Sequence, residues 1–221
     1  MNEVIFLLHV LCIAALVLIS LRVGKEALMM LFCFQGIVAN LFVFKQMVFF
    51  GLTITCTDAY LIGAYLSLGL LQHYYGTKEA NRAIVLSFCM LLSLLAATLL
   101  HASYIPSPTD TYHDLYSKLF KGTPRVCLTS MVIAISAQKL SIYLQSWLSR
   151  SRFPKLFVLS LPMVLAQLYD TVAFSYLALA GVVYSLWHVI IVSYLVKLLT
   201  ISCMTPFTLL AKKFYRPFTT S

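Results

Sequence analysis

Residues 156–179 read LFVLSLPMVLAQLYDTVAFSYLAL, an apolar stretch in which the only charged side chain is that of Asp170. A helix that crosses a bilayer needs roughly 20 mostly apolar residues, so this stretch is long enough to span one. A charge at the centre of such a helix costs at least ~2.5–3.5 kcal/mol on insertion scales. Asp170 is therefore expected to face the interior of a helix bundle, where it pairs with another side chain or bonds a ligand.

The composition of the whole chain also indicates a membrane protein. Of its 221 residues, 61% are hydrophobic and 10% are charged, whereas soluble domains are about 45–50% apolar and about 25% charged. Seven apolar segments follow one another, at 4–21, 27–44, 52–75, 83–101, 125–148, 156–179 and 186–210. We predict an all-α fold, a polytopic transmembrane helix bundle with seven spans. Residues 1–221 form one integral membrane domain, and the polar interval 102–124 forms an extramembrane loop.

The basic residues at the connections predict how the chain is oriented. Ten Lys and Arg residues fall on one side of the seven spans and four on the other, and the more basic side is normally cytoplasmic. The chain is therefore expected in the cell (inner) membrane with its N-terminus outside and its C-terminus in the cytoplasm. The first segment has no basic residue before its apolar core, unlike a signal peptide, and is expected to be retained. Several glycines between residues 45 and 82 leave a broken or re-entrant element open there.

Several other classes of site are disfavoured. The net charge of +9 comes from residues at the edges of apolar segments, which is typical of membrane proteins and does not indicate a nucleic-acid partner. The six cysteines form no C-x-x-C pair, and no H-E-x-x-H motif is present. We therefore expect no metal, no cofactor and no catalytic residues.

Four charged residues lie in the interior of the predicted spans: Asp58, Lys139, Asp170 and Lys197. Gln167 shares a helix face with Asp170 because the two are three residues apart. An ion pair between Asp170 and Lys197 is one interpretation, and Lys139 either extends to the membrane surface or lies on a pathway. A solute-binding site is the favoured interpretation, since the same faces carry many neutral donors and acceptors.

The side chains on these faces suit a flat solute. Amide and carboxylate groups can bond the edge of a heterocycle, and aromatic rings such as those of Phe174 and Tyr194 can stack on its plane. Aromatic residues in membrane helices also serve as simple packing. The residues by themselves therefore indicate a small-molecule membrane transporter for an uncharged or weakly cationic heterocycle.

Several short motifs resemble one known family. The most specific is AQLYDTVAF at 166–174, which is similar to an SQ-x-x-DT-x-x-F signature. The others, in order, are VGKEAL at 23–28, ANLFVFK at 39–45, FFGLTIT at 49–55, YYGTKEANRAI at 74–84, PRVCLTSMVIAISAQ at 124–138 and SYLVKLL with TPF at 193–207. Together they resemble the queuosine-precursor transporter family, also called the vitamin uptake transporter family.

The resemblance implies six family helices preceded by one N-terminal helix, and import of a 7-deazaguanine-type base. The substrate-binding residues that it implies, with Phe174 added from the aromatic set, are Asn40, Arg125, Gln138, Gln167, Asp170, Phe174, Tyr194 and Lys197. Gln167 and Asp170 are expected to bond the base, and Lys197 to balance Asp170 when the site is empty. Four family acids are replaced here, by Gly69, His73, Ser141 and Met204. That difference favours another precursor, such as queuine.

Three other functions remain open. The chain could be the substrate-binding membrane component of an energy-coupling-factor vitamin importer, which would need partner subunits and an ATPase. It could be a membrane enzyme, although the sequence contains no G-x-S-x-G motif and no paired aspartates on one face. It could be a scaffold whose polar interior is satisfied internally. The expected partners are a heterocyclic base and the lipid bilayer, and a homo-oligomer is left open.

Overall fold

The computed structural model describes the backbone of residues 1–42, 45–121, 124–179 and 186–215, and their side chains except at 118–121, 124–127, 178–179 and 188. Over these residues the chain forms eight helices and one two-stranded hairpin. In chain order they are α1 (Asn2–Val23), α2 (Lys25–Phe42), β1 (Gln46–Phe49), β2 (Leu52–Thr55), α3 (Asp58–Tyr75), α4 (Thr77–Ser103), α5 (His113–Lys121), α6 (Pro124–Leu148), α7 (Lys155–Leu179) and α8 (Leu186–Phe214).

Each of the seven predicted segments overlaps one long helix. Among the described residues, five helices are by themselves long and apolar enough to cross a bilayer. They comprise Asn2–Val23, Lys25–Phe42, Thr77–Ser103, Lys155–Leu177 and Val189–Phe214. The predicted all-α polytopic helix bundle is confirmed.

Helix α3 is surrounded by other helices of the bundle. It contacts α1, α2, α4, α6, α7 and α8. Thirteen of its 18 residues are buried, whereas only four of the 27 residues of α4 are. A helix enclosed by other helices does not need a lipid-compatible surface, so α3 can carry polar side chains into the centre of the bundle.

The predicted segment 52–75 is not one continuous helix. Its first residues form β2, which pairs with β1 in an antiparallel hairpin, and α3 begins only at Asp58. Phe50 and Gly51 make the turn with positive φ angles of 47° and 80°, the combination that a two-residue type I′ turn requires. The prediction of a span from residue 52 was wrong because a short apolar run does not distinguish a strand from a helix.

The hairpin is attached to the start of α1. The Asn2 side chain donates a hydrogen bond to the Val48 carbonyl at 2.8 Å. The Phe50 amide donates to Oε1 of Glu3 at 3.1 Å, and the rings of Phe6 and Phe49 pack edge to face. These contacts fix the hairpin over one end of the bundle.

The predicted loop 102–124 is partly helical. Helix α4 extends to Ser103, and α5 occupies residues 113–121. Residues 122 and 123 lie outside the described part of the chain. The extramembrane position of this segment stays a prediction.

The two ends of the bundle are distinct. We call the end with the hairpin and the N-terminus the hairpin side, and the end with Tyr215 the tail side. On the hairpin side, Ser130 of α6 donates a hydrogen bond to Asn40 of α2. On the tail side, Tyr74 at the end of α3 stacks on Tyr215, with ring centroids 4.4 Å apart. Short connections between consecutive helices make the chain alternate between these two ends.

Gly63 sits where α3 crosses α1 and α2 most closely. A Cβ atom there would overlap Cγ2 of Ile13 and lie 2.9 Å from Nε2 of Gln35. We expect Gly63→Ala to lower the free energy of unfolding by about 1–3 kcal/mol, the usual cost of overpacking a close-packed interior.

The change can be measured as the melting temperature of the purified protein in detergent. Gly36→Ala is the matched control, because its new Cβ would meet only the hydroxyl of Ser87 at 3.3 Å. Equal melting temperatures for the two variants would contradict the predicted crowding at Gly63.

Candidate substrate-binding site

A cavity of about 200 Å³ lies in the hairpin-side half of the bundle. Its wall comes from the hairpin and from helices α2, α3, α4, α6, α7 and α8. The polar residues of the wall are Asn40, Thr55, Thr57, Asp58, Ser130, Asp170, Thr171, Ser175, Ser193 and Lys197. On α7 and α8 the lining residues lie between the hairpin-side ends and the level of Asp170 and Lys197. The cavity therefore reaches about halfway through the bundle.

Asp170 and Lys197 form an ion pair at the inner end of the cavity. Nζ of Lys197 lies 2.8 Å from Oδ2 of Asp170 and donates a second hydrogen bond to Oγ1 of Thr171 at 3.0 Å. The side chain of Lys197 is 6% exposed and that of Asp170 is 19% exposed. Asp170 and Thr171 are consecutive residues of α7, and the ammonium group of Lys197 contacts both. The pair leaves part of the carboxylate facing the cavity.

Asn40 and Phe174 also line the cavity. The Asn40 side chain donates to the Gly36 carbonyl at 2.9 Å and accepts a weak hydrogen bond, at 3.5 Å, from Ser130. Phe174 lies one helical turn from Asp170, on the same face of α7. The cavity thus presents an amide, a carboxylate, an ammonium and an aromatic ring within one enclosure.

Gln167 lies one turn below Asp170, toward the tail side. Its side chain is fully buried, and both of its polar atoms lack a hydrogen-bond partner within the described part of the chain. The hydroxyl of Tyr65 on α3 is also buried without a described partner, and Tyr65 interacts electrostatically with Asp170. Unpaired polar groups therefore lie near the Asp170–Lys197 pair.

Asp58 is a cavity residue that the sequence did not place there. Its side chain is 4% exposed, lines the cavity and interacts electrostatically with both Lys197 and Asp170. The signal in the sequence was an acid inside an apolar segment. Without knowledge of the hairpin, that signal did not show that Asp58 begins α3 at the wall of the cavity.

Among the other predicted site residues, Gln138 and Tyr194 are not in the cavity wall. Gln138 is half-buried on α6 and does not line the cavity. Tyr194 is partly buried, and its hydroxyl donates to the Val164 carbonyl at 3.4 Å. The side chain of Arg125 falls outside the described residues. Lys139 lies exposed on the outer face of α6. The substrate-binding roles of Gln138, Tyr194 and Arg125 stay predictions, and so do both interpretations of Lys139.

The chemistry of the cavity matches a planar solute with hydrogen-bonding edges. The carboxylate of Asp170 accepts from ring N–H and exocyclic amine groups, and Lys197 and Asn40 donate to carbonyl oxygens. Phe174 offers a face for stacking. Among the described residues, no group of three or more His, Cys, Asp or Glu side chains is close enough to hold a metal ion.

Comparison with known proteins places this bundle in a family. Residues 59–211 match the model of a family described as "putative vitamin uptake transporter". A protein of Bacillus subtilis (strain 168) named "probable queuosine precursor transporter" is 31% identical over 196 residues, which cover 86% of this chain and 85% of the relative. No solved structure matches the chain. The chain belongs to the vitamin uptake transporter family, as its motifs predicted.

Proposed function

We propose that this protein imports a queuosine precursor, a 7-deazaguanine-type base, through the hairpin-side cavity. The observation that carries the proposal is the buried Asp170–Lys197 pair at the inner end of a cavity that also holds an amide and an aromatic ring. The name of the Bacillus subtilis relative supports the substrate class, and membership of the family supports transport.

The proposed binding mode follows from the polarity of each group. A guanine-type edge carries an N–H and an exocyclic amine next to a carbonyl oxygen. Asp170 accepts from the two donors, while Lys197 donates to the carbonyl. Phe174 covers one face of the ring. A buried charged pair that exchanges hydrogen bonds with a solute in this way avoids the cost of leaving either charge unpaired.

The orientation of the chain makes the cavity an entrance from outside. The tail side carries the larger set of basic residues and is expected to face the cytoplasm. On that side, α3 and α6 are joined by hydrogen bonds from Gln145 to the Gly69 carbonyl and from Gln72 to Ser146, at 2.9 and 2.8 Å. These bonds close the bundle between the cavity and the cytoplasm, and we propose that they break when the solute is released inward.

Labelling from outside tests the orientation. In a background with the six native cysteines replaced, a membrane-impermeant maleimide is expected to label Thr109→Cys on the hairpin side in intact cells. Ser151→Cys on the tail side should react only after the membrane is permeabilised. Both positions are exposed in the structure. The reverse pattern would place the cavity on the cytoplasmic side and contradict import by this route.

Reconstitution tests the function. The purified chain alone, in proteoliposomes without ATP, is expected to take up a labelled 7-deazaguanine base in a saturable manner. Excess unlabelled 7-deazaguanine should compete, and adenine should not, because adenine has no carbonyl at the corresponding ring position. Binding without uptake would instead favour a substrate-binding component of an ATP-driven importer. No binding of any deazaguanine would contradict the proposed substrate class.

A further inference from the structure

A line of polar side chains leads along α3 from the cavity toward the tail side. Asp58, Tyr65 and Gln72 follow one another at intervals of seven residues, a spacing that puts them on one face of the helix. All three side chains are buried. The Tyr65 hydroxyl and Oε1 of Gln72 have no hydrogen-bond partner in the described part of the chain. We call these three residues the polar file.

The polar file begins at the cavity with an unpaired acid. Asp58 lines the cavity, is 4% exposed and makes no hydrogen bond or ion pair with the described residues. A buried carboxyl group without a partner is costly to keep charged, and such groups take up a proton instead. The surroundings of Asp58 therefore favour its neutral, protonated form.

The charges around Asp58 balance when it holds one proton. Of the helices packed against α3, α7 contributes Asp170 and α8 contributes Lys197, while α2, α4 and α6 contribute no charged side chain to the described wall. Helix α1 has no residue among those that line the cavity. Because the Lys197 ammonium already contacts Asp170 at 2.8 Å, a charged Asp58 would leave one negative charge uncompensated.

The polar file ends at the tail-side surface. Nε2 of Gln72 donates a hydrogen bond to Oγ of Ser146 at 2.8 Å. The Ser146 hydroxyl in turn bonds that of Thr77, an exposed residue, at 3.4 Å. Successive members of the file are about 10 Å apart along the helix axis, and buried water commonly bonds unpaired polar groups of this kind. Water between these groups would connect the cavity with the tail side.

We propose that Asp58 carries one proton inward with each solute molecule, and that the polar file is the route by which this proton leaves. The inference rests on the proposed function and adds a driving force to it. Water on the hairpin side gives a proton to the Asp58 carboxylate while the cavity is open to that side. When the tail side opens, the O–H bond breaks and the proton passes to water along the file.

Lys197 couples the proton to the solute. While Asp58 is neutral, the Lys197 ammonium stays with Asp170 and can donate to the carbonyl of the solute. Loss of the proton creates a second carboxylate within electrostatic reach of Lys197, which draws the ammonium away from the solute. Protonation of Asp58 and binding of the solute therefore stabilise each other, because coupling between two binding events is reciprocal.

Proteoliposomes with an imposed pH gradient test the coupling. Wild type, Asp58→Asn and Asp58→Glu are reconstituted with valinomycin and equal potassium on both sides, which hold the membrane potential at zero. An acidic exterior should drive wild type to accumulate labelled 7-deazaguanine, by up to about tenfold per pH unit if one proton accompanies each solute. Asp58→Asn should equilibrate the base without accumulating it, and Asp58→Glu should accumulate it again.

A second readout uses wild type alone. With no gradient imposed, addition of the base outside should acidify the lumen, which a trapped pH-sensitive dye reports. Uptake without acidification and without a response to the gradient overturns the inference while leaving the proposed function intact. Accumulation that follows a sodium gradient instead of a pH gradient also overturns it. Wild type that takes up no deazaguanine contradicts the proposed function, and the inference falls with it.

The variants decide the role of Asp58 itself. Accumulation driven by the pH gradient in Asp58→Asn would mean that another group carries the proton. A folded Asp58→Asn that neither accumulates nor equilibrates the base would make Asp58 part of the solute site, and would equally overturn its role as proton carrier. Should Asp58→Asn fail to insert, Asp58→Ser is also uncharged and is judged by the same two outcomes.

Discussion

Asp170→Asn is expected to lower uptake of a 7-deazaguanine base by at least a hundredfold. The change removes the negative charge that the ring donors need, and each charge-assisted hydrogen bond contributes about 1.5–3 kcal/mol. A loss of two such bonds exceeds the ~2.8 kcal/mol that corresponds to a hundredfold change. The variant also leaves Lys197, whose side chain is 6% exposed, without its counter-charge. Initial uptake rates in proteoliposomes measure the effect, normalised to the amount of inserted protein.

A second variant separates binding from stability. Breaking a buried ion pair by removing one partner costs about 3–5 kcal/mol because the other charge is left uncompensated. Asp170→Asn/Lys197→Met removes both charges and is expected to recover much of the lost stability. If the pair only holds α7 to α8, uptake should recover as well. If the pair bonds the solute, as we propose, the double variant folds and does not transport.

Much of the fold followed from apolar runs and from where charges lie along them. Residues 156–179 predicted α7 almost to its ends, because a long run with one charge has few alternatives in a membrane. The hairpin was missed. Residues 46–55 are apolar enough to belong to a span, and only the turn at Phe50 and Gly51 and its contacts with Glu3 and Asn2 make them strands. Those contacts join parts of the chain more than 40 residues apart. The spacing of hydrophobic residues along the sequence cannot predict such contacts.

The candidate site was predictable where one helix face determines it. Asp170 and Gln167 share a face of α7, and helical spacing was enough to group them. The pairing of Lys197 with Asp170 was also expected, because two opposite charges inside a bundle stabilise each other. Asp58 was not placed in the cavity, since its position depends on where α3 begins.

Helical spacing also did not predict the surroundings of the polar residues of α6. Gln138 and Gln145 are seven residues apart, a spacing that puts both on one face of a helix, but the structure gives them different surroundings. Gln145 is buried and bonds the Gly69 carbonyl, which is the structural role that a buried glutamine commonly has in a helix bundle. Gln138 is half-buried and is not among the residues that line the cavity. Which helix a face meets is set by tertiary packing, so spacing alone did not distinguish the two.

Gln167→Leu is expected to raise stability while lowering transport at least tenfold. Both polar atoms of Gln167 are buried without a partner in the described residues, and each unsatisfied group costs about 1–3 kcal/mol. Leucine removes that cost at similar volume. On the proposed route, the solute passes this level between Asp170 and the tail side. An apolar side chain there would offer it no hydrogen bond during the passage.

Gln145→Leu is the matched control. Gln145 is also buried, but its side chain donates a hydrogen bond to the Gly69 carbonyl at 2.9 Å, so its loss should lower the melting temperature by removing a bond between α6 and α3. The two leucine variants are therefore expected to shift the melting temperature in opposite directions. Normal transport by a stabilised Gln167→Leu variant would mean that the solute does not use Gln167. A lower melting temperature in that variant would mean that the buried amide has a structural role after all.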